Sequence, residues 1–387
     1  MGDNMRITFG NKTKKYNEME LDPSGKVRFL VNVGHMDDSL SLEDEKKKVQ
    51  IALKNEFDII ADNSISSSAF TFRKWISDNY PVKVNSVPVY QCFEKMQNGS
   101  FEFEHLKEAL YQHIESGVDM LVVHPGLTQS LAEEVTCSKR IIPLTSRGGA
   151  QLFSYMMNHN KENPYYEHWD EVISIVKDTG VCLALGLTLR AGSVIDELDE
   201  LYLKEMDICG SLIKRAMLQN IPVVIEGIGH VRLRSISRLL EEVNKRCYGV
   251  PIKTLGPIGS DRLCGLDNIN AVISSSIAAM SGVSIIGALL KSEHVGLPNL
   301  DDYERDLRYY RILKYLLELD DSNKDAMDLE REISIERKER CWEKMFQRAI
   351  FPDEALATYL EHNDLGVVSD KCTMCGNRCA HKLVLGK

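Results

Sequence analysis

Three cysteines near one end of the chain, Cys372, Cys375 and Cys379, stand at C-x2-C-x3-C spacing in the glycine-containing segment KCTMCGNRCAHK. Such spacing can place three thiolates around one metal centre. A [4Fe–4S] cluster held by three cysteines leaves one iron open for a small-molecule ligand. His381 follows two residues on, and Cys3His is also the donor set of a structural zinc site. The spacing leaves both readings open. A second chemistry sits in LTSRGGAQ, where Ser146, Arg147, Gly148 and Gly149 follow an apolar run. Paired glycines let backbone N–H groups approach an anion, and the arginine adds a bidentate charge, so this reads as a phosphate cradle. A lone S-R-G-G is more often an ordinary strand-to-helix turn. Two further loops repeat the pattern of a charged residue beside glycines: LRAGS, with Arg190, and EGIGH, with Glu226 and His230. His294 follows Glu293 in KSEHVGLP. His230 and His294 together would form an open metal site, although each singly is as well explained by a hydrogen bond. Glu226 and Glu293 are candidates for acid–base work or for orienting those imidazoles.

Something must bring these loops together. Nine short apolar, β-branched runs recur, at 27–34, 57–62, 84–91, 119–126, 140–146, 181–187, 221–229, 252–257 and 283–290. Continuous runs without alternation suit strands buried on both faces, as in a parallel sheet. Amphipathic stretches such as SLEDEKKKVQIALKNE lie between them, so the chain reads as βα units. Polar or charged residues follow nearly every run: Asn32, Asp62, Tyr90, His124, the S-R-G-G loop, Arg190, Glu226 and His230. That pattern predicts a closed α/β barrel of the (β/α)8 TIM type, with its site at the C-terminal ends of the strands. Nine runs exceed eight places, and 140–146 and 283–290 are the candidates for exclusion. The predicted organisation is an extension over 1–26, the barrel over 27–300, a charged helical appendage over 301–350, and a cysteine-bearing tail over 351–387. The appendage is expected to carry the tail towards an active-site mouth.

Composition narrows the function classes. With 43% hydrophobic residues the 387-residue chain can bury a large core, and its formal net charge of -10 argues against a general nucleic-acid or anionic-membrane surface. No stretch approaches the roughly 20 apolar residues of a membrane span, and a cytoplasmic protein is expected. Ten cysteines without a signal peptide do not suggest a secreted disulfide framework, and the seven outside the tail read as reduced, small hydrophobes.

In order and spacing the segments FLVNVG, VNSVPVYQCFEK, MLVVHPG, LTSRGGAQ with ENPYYEHWDEV, LALGLTLRAGS, VVIEGIGHVR, KTLGPIGSD, SEHVGLP and the terminal CTMCG resemble the phosphomethylpyrimidine synthase (ThiC) family. The resemblance covers roughly 27–300 and the tail. It implies a homodimeric radical S-adenosylmethionine enzyme with a [4Fe–4S] cluster on Cys372, Cys375 and Cys379 and an external electron donor. Its substrate would be 5-aminoimidazole ribonucleotide, with the phosphate on Ser146, Arg147 and Gly148. Further substrate contacts would come from Asn32, Tyr90, His124, Arg190 and Glu226, and zinc or another divalent metal would sit on His230 and His294. Cleavage of S-adenosylmethionine would give a 5′-deoxyadenosyl radical that begins the rearrangement to hydroxymethylpyrimidine phosphate for thiamin.

The sequence departs from the family pattern at four places. The cluster loop is one residue shorter than the usual C-x2-C-x4-C. Leu187 stands for the Asp of G-D-G-L-R-P-G, Lys253 for the aromatic before T-L-G-P, and Asp62-Asn63-Ser64-Ile65-Ser66 for D-L-S-T-G. These leave room for a paralogue that makes 5-hydroxybenzimidazole from the same nucleotide. A non-catalytic barrel whose tail binds structural zinc is the reading from another class.

Overall fold

The computed structural model describes residues 5–14, 18–363, 368 and 372–385. It divides into two compact units, Met1–Leu313 and Lys314–Lys387.

The first unit begins with a hairpin, β1 (Ile7–Phe9) against β2 (Met19–Leu21), whose three-residue strands are too short to leave a periodic signature in the sequence. Eight parallel strands then close a barrel: β3 (Arg28–Val33), β4 (Ile59–Asp62), β5 (Lys83–Ser86), β6 (Met120–Val123), β7 (Cys182–Gly186), β8 (Val223–Gly227), β9 (Ile252–Leu255) and β10 (Ile285–Ala288). They lie in chain order, and β10 pairs with β3 to close the ring. Apolar side chains on both faces of these strands, such as Ile59, Ile60, Leu121, Leu183, Val224 and Ile286, are buried, which is why the runs do not alternate.

The run at 283–290 is the eighth strand. The run at 140–146 is the one outside the barrel: it is an irregular loop, clamped by Arg140, whose guanidinium binds Asp199 and the Leu189 carbonyl. A β-branched pair at Ile141 and Ile142 misleads there, because both side chains are exposed. The hairpin sits against the N-terminal ends of the strands. Asp119, just before β6, accepts from the Asn11 backbone N–H and from Lys14, whose side chains are buried there. That end is packed, so the opposite end is left to carry chemistry.

Helices pack outside the ring, and several begin where the sequence offers a cap. Ser41, Thr128, Ser146 and Asp199 each accept from a backbone N–H of the following turn, at the starts of Leu42–Lys54, Gln129–Thr136, Arg147–His159 and Glu200–Met217.

The second unit is helical: Lys324–Glu339, Trp342–Gln347, Pro352–Asn363 and Ala380–Leu385. Trp342, Phe346 and Tyr359 form its aromatic centre, and Arg348 pairs with Glu336. No helix among the described residues is long and apolar enough to cross a membrane.

Candidate active site

A cavity of about 840 Å³ opens at the C-terminal ends of the barrel strands. Asn32, Tyr90, His124, Ser146, Arg147, Arg190, Glu226 and Glu293 all line it, so residues spread over more than 260 positions of sequence meet in one place. Each is delivered by the end of a strand or the loop after it, the arrangement that parallel barrels use to assemble a site.

Ser146 caps the helix Arg147–His159, its hydroxyl accepting from the Gly149 N–H at 3.2 Å. The first backbone N–H groups of a helix lack partners within it; at this helix start Ser146 and Arg147 line the cavity, while Gly148 and Gly149 are not among the lining residues. The Arg147 guanidinium lies 4.0 Å from the centre of the Tyr90 ring, which holds the charge at the opening. Gly148 is buried, and a Cβ there would stand 2.6 Å from His124 Cε1.

His124 is deep in the cavity and 3% exposed. Burial lowers its pKa to about 4, so the ring is neutral at ordinary pH, and its Nδ1 has no protein partner. Beside it, Glu226 is ion-paired to Lys253 at 2.5 Å, and Lys253 also donates to Asn85 at 3.0 Å. Burial acts to raise the Glu226 pKa, but the charges of Lys253 and Arg190 outweigh it, and the carboxyl titrates below its ordinary value. Glu293 stands exposed at the rim.

The two histidines lie beyond the cavity lining. Their Nε2 atoms are 3.2 Å apart, while His230 Nδ1 pairs with Asp261 at 2.5 Å and His294 Nδ1 with Asp267 at 3.1 Å. His230 is thrown into place by a strained turn: Ile228, a β-branched residue, has φ +86° and Gly229 φ +73°. The Ile228 N–H is held by the Tyr202 hydroxyl, and the His230 N–H by the Ala191 carbonyl. A Cβ on Gly229 would strike that carbonyl at 2.4 Å. Among the described residues no group of three His, Cys, Asp or Glu side chains is arranged to hold a metal, so the pair offers two donors of a coordination shell.

Cys372, Cys375 and Cys379 belong to the second unit and are free thiols, the first two exposed. Cys379 precedes the helix Ala380–Leu385, and backbone N–H groups of Lys382 and His381 lower its pKa. Three unpaired thiols in this segment match a cluster's donor set in type and number, although among the described residues they are not drawn together into a metal-holding group. Of the other seven, Cys92, Cys182, Cys209 and Cys247 are buried, while Cys137 and Cys264 are exposed and Cys341 is half-buried.

A family model described as the radical SAM ThiC family matches residues 4–385. The chain belongs to that family. Membership makes it a radical S-adenosylmethionine enzyme and implies a [4Fe–4S] cluster. Among curated relatives, the phosphomethylpyrimidine synthase of Clostridium tetani is 33% identical over 94% of this chain and 80% of its own length. That of Clostridium botulinum is 34% identical over 94% and 84%, and that of Thermotoga petrophila 32% over 92% and 85%. Among solved structures, 7,8-dihydropteroate synthase from Vibrio fischeri covers 81% of this chain and 98% of its own at 11% identity and a TM-score of 0.46, a likeness too distant to carry chemistry.

The departures from the ThiC pattern fall unequally. Leu187 is fully buried outside the cavity lining, its side chain against Gly227, so no carboxylate replaces it from this position. Asp62 is buried with Arg73 and Ser64 behind the barrel wall. Two departures put a new side chain at the cavity: Asn63, which donates to Asn32 at 3.3 Å, and Lys253, a buried charge. Sequence reading noted it only as a missing aromatic; a lysine inside the apolar run I-K-T-L was the signal for a buried charge needing a partner. Asn85, Asp261 and Asp267 were missed too, since a short polar side chain near a strand end has many ordinary explanations.

Proposed function

We propose that the protein converts 5-aminoimidazole ribotide into hydroxymethylpyrimidine phosphate, the reaction named for its curated relatives, in the thiamin pathway. The observation that carries this reading is the joining of an anion cradle and a buried polar floor in one cavity. Ser146, Arg147 and Gly148 would take the phosphate at the mouth, using the guanidinium braced on Tyr90 and the N–H groups of the helix's first turn. Asn32, Arg190, His124 and Glu226 then face the sugar and the ring. Neutral His124 has Nδ1 available to accept or, as the other tautomer, to donate. Glu226 stays ionised and can accept from a ring amino group or take a proton. Glu293, at the rim, is the second candidate acid–base group.

Cys372, Cys375 and Cys379 would hold the cluster, which with S-adenosylmethionine and an electron donor supplies the radical chemistry when bound. His230 and His294 would hold zinc or another divalent ion. Two nitrogens about 2.0–2.1 Å from a tetrahedral ion lie roughly 3.3 Å apart, close to the 3.2 Å found. Asp261 and Asp267 would fix the tautomer and orientation of both rings. Exposed Ile269, Ile273 and Met280 on the helix Asp267–Met280 support a homodimer. Acidic net charge and small-molecule chemistry suit a cytoplasmic enzyme without nucleic-acid or membrane partners.

The test is anaerobic reconstitution with iron and sulfide, then incubation with S-adenosylmethionine, dithionite and the ribotide. Deoxyadenosine that depends on the ribotide and vanishes in Cys375→Ala, with a phosphorylated pyrimidine as product, is the expected result. A benzimidazole product would instead establish the paralogous reaction, for which the lysine in the cavity is the observation in favour. One zinc, no iron and no deoxyadenosine would sink both.

A further inference from the structure

Lys253 is the charged group in the cavity that the family pattern does not account for. It is 1% exposed, and its strand β9 neighbours β8 so that Lys253 and Glu226 are register partners, both at the cavity. The side chain does not stop at Glu226. Its ammonium also reaches Asn85 on β5, a strand not adjacent to β9, so the lysine crosses the barrel interior and forms part of the cavity floor. An ammonium has three N–H donors; Asn85 accepts one, and the Glu226 carboxylate lies against the charge at 2.5 Å and accounts for at most one more. The third has no partner among the described residues. His124 Nδ1, also buried at the floor, is unpartnered as well. Two buried polar groups left incomplete in one cavity are groups that a ligand completes, since leaving them bare is costly.

We propose that Lys253 is a specificity-determining residue whose ammonium, braced between Glu226 and Asn85, donates its remaining N–H to a hydrogen-bond acceptor at the buried end of the ligand's ring. This rests on the reading of the ligand as an aminoimidazole ribotide and adds its orientation and selectivity: the unsubstituted ring nitrogen points at the floor. An aromatic side chain at this position has a π face and no ammonium. The lysine instead rejects any ring that turns a C–H or a cation towards it, because the ammonium would then be buried with an unmet donor or against a like charge.

The experiment is calorimetric titration of the full-length, cluster-reconstituted protein without S-adenosylmethionine, so that no turnover occurs. Three probes are used: 5-aminoimidazole ribotide, its pyrrole analogue with C–H in place of the unsubstituted ring nitrogen, and ribose 5-phosphate, which reads the cradle alone. Native protein is expected to prefer the imidazole over the pyrrole by on the order of 10- to 100-fold, the range of a hydrogen bond from a charged donor. In Lys253→Met the ratio falls to about one, while ribose 5-phosphate binding is unchanged. Because that variant leaves Glu226 buried without its counter-charge, Lys253→Met with Glu226→Gln is the companion, and Glu226→Gln alone should keep the preference. No preference in native protein, or a preference that survives both lysine variants, overturns the proposal. Native protein that binds ribose 5-phosphate but neither ring compound overturns the proposed substrate itself.

Discussion

Replacing Gly148 by alanine tests whether the phosphate cradle and the buried histidine are one mechanical unit. Gly148 is the second residue of the helix Arg147–His159 and its φ lies outside the left-handed range, so alanine can adopt the backbone. The added methyl would lie 2.6 Å from His124 Cε1 and 2.9 Å from its Nδ1. The ring has no retreat, because a Cβ on Gly186 would stand 2.7 Å from Nε2 and 2.8 Å from Cδ2. The imidazole is thus wedged between two glycines. Overpacking of this kind costs about 1–3 kcal/mol, and alanine's helix preference returns less than about 1 kcal/mol in a first turn. The expected net loss is roughly 1–2 kcal/mol. At about 2.1 cal/mol/K per residue the unit Met1–Leu313 loses about 0.7 kcal/mol per degree near its midpoint. The melting temperature should therefore fall by roughly 2–3 °C. Affinity for ribose 5-phosphate, read by calorimetry, should fall about 10-fold, because relief of the clash with His124 displaces the helix start that carries Arg147. Gly296→Ala is the control for stability alone, since nothing lies within 4 Å of its added methyl although the residue lines the same cavity. A Gly148→Ala protein that melts and binds as the native one does would refute the wedging of His124 and the link between floor and cradle.

Three further outcomes follow from the same geometry. Ser146→Ala should cost about 1 kcal/mol through loss of the cap, whereas Ser146→Gly costs only a few tenths; both should weaken ribose 5-phosphate binding, so stability and affinity separate. Burial depresses the His124 pKa from 6.5 to about 4, so the unfolded chain binds the proton first and stability falls as pH drops from 6.5 towards 4, by up to about 3 kcal/mol. Urea unfolding of His124→Gln at pH 7 and pH 4.5 should show a smaller loss than native protein, and an equal loss would reject the assignment. Asp261→Ala takes the Nδ1 partner from His230 and the acceptor from Ser193 and the Val194 N–H, so it should lower the melting temperature of metal-free protein and weaken zinc binding about 10- to 100-fold; unaltered zinc affinity would show that the two histidines are not the site.

The strand runs and their following polar residues carried the barrel, because a strand buried on both faces has to be apolar throughout and a loop after it is free to be polar. Asn32, Tyr90, His124, Arg190 and Glu226 were legible for that reason as strand-end residues that line the cavity, but so were Asp62 and His230, which do not. The run at 140–146 misled because local composition does not say whether neighbours cover Ile141 and Ile142; they do not. The β1–β2 hairpin escaped notice because three residues give no period to read.

What the sequence determined by itself was chemistry by type: three thiols at cluster spacing, an arginine with paired glycines, and two histidines, one next to a glutamate and one four residues after another. Partnership was left to the tertiary structure. Whether Lys253 faces a carboxylate, whether His124 has room to move, and which aspartates hold His230 and His294 all depend on barrel closure, which sets residues from distant strands a few ångströms apart. Charge and hydrogen-bond energies vary steeply over such distances, so the same residue types in a slightly different register would make a different site.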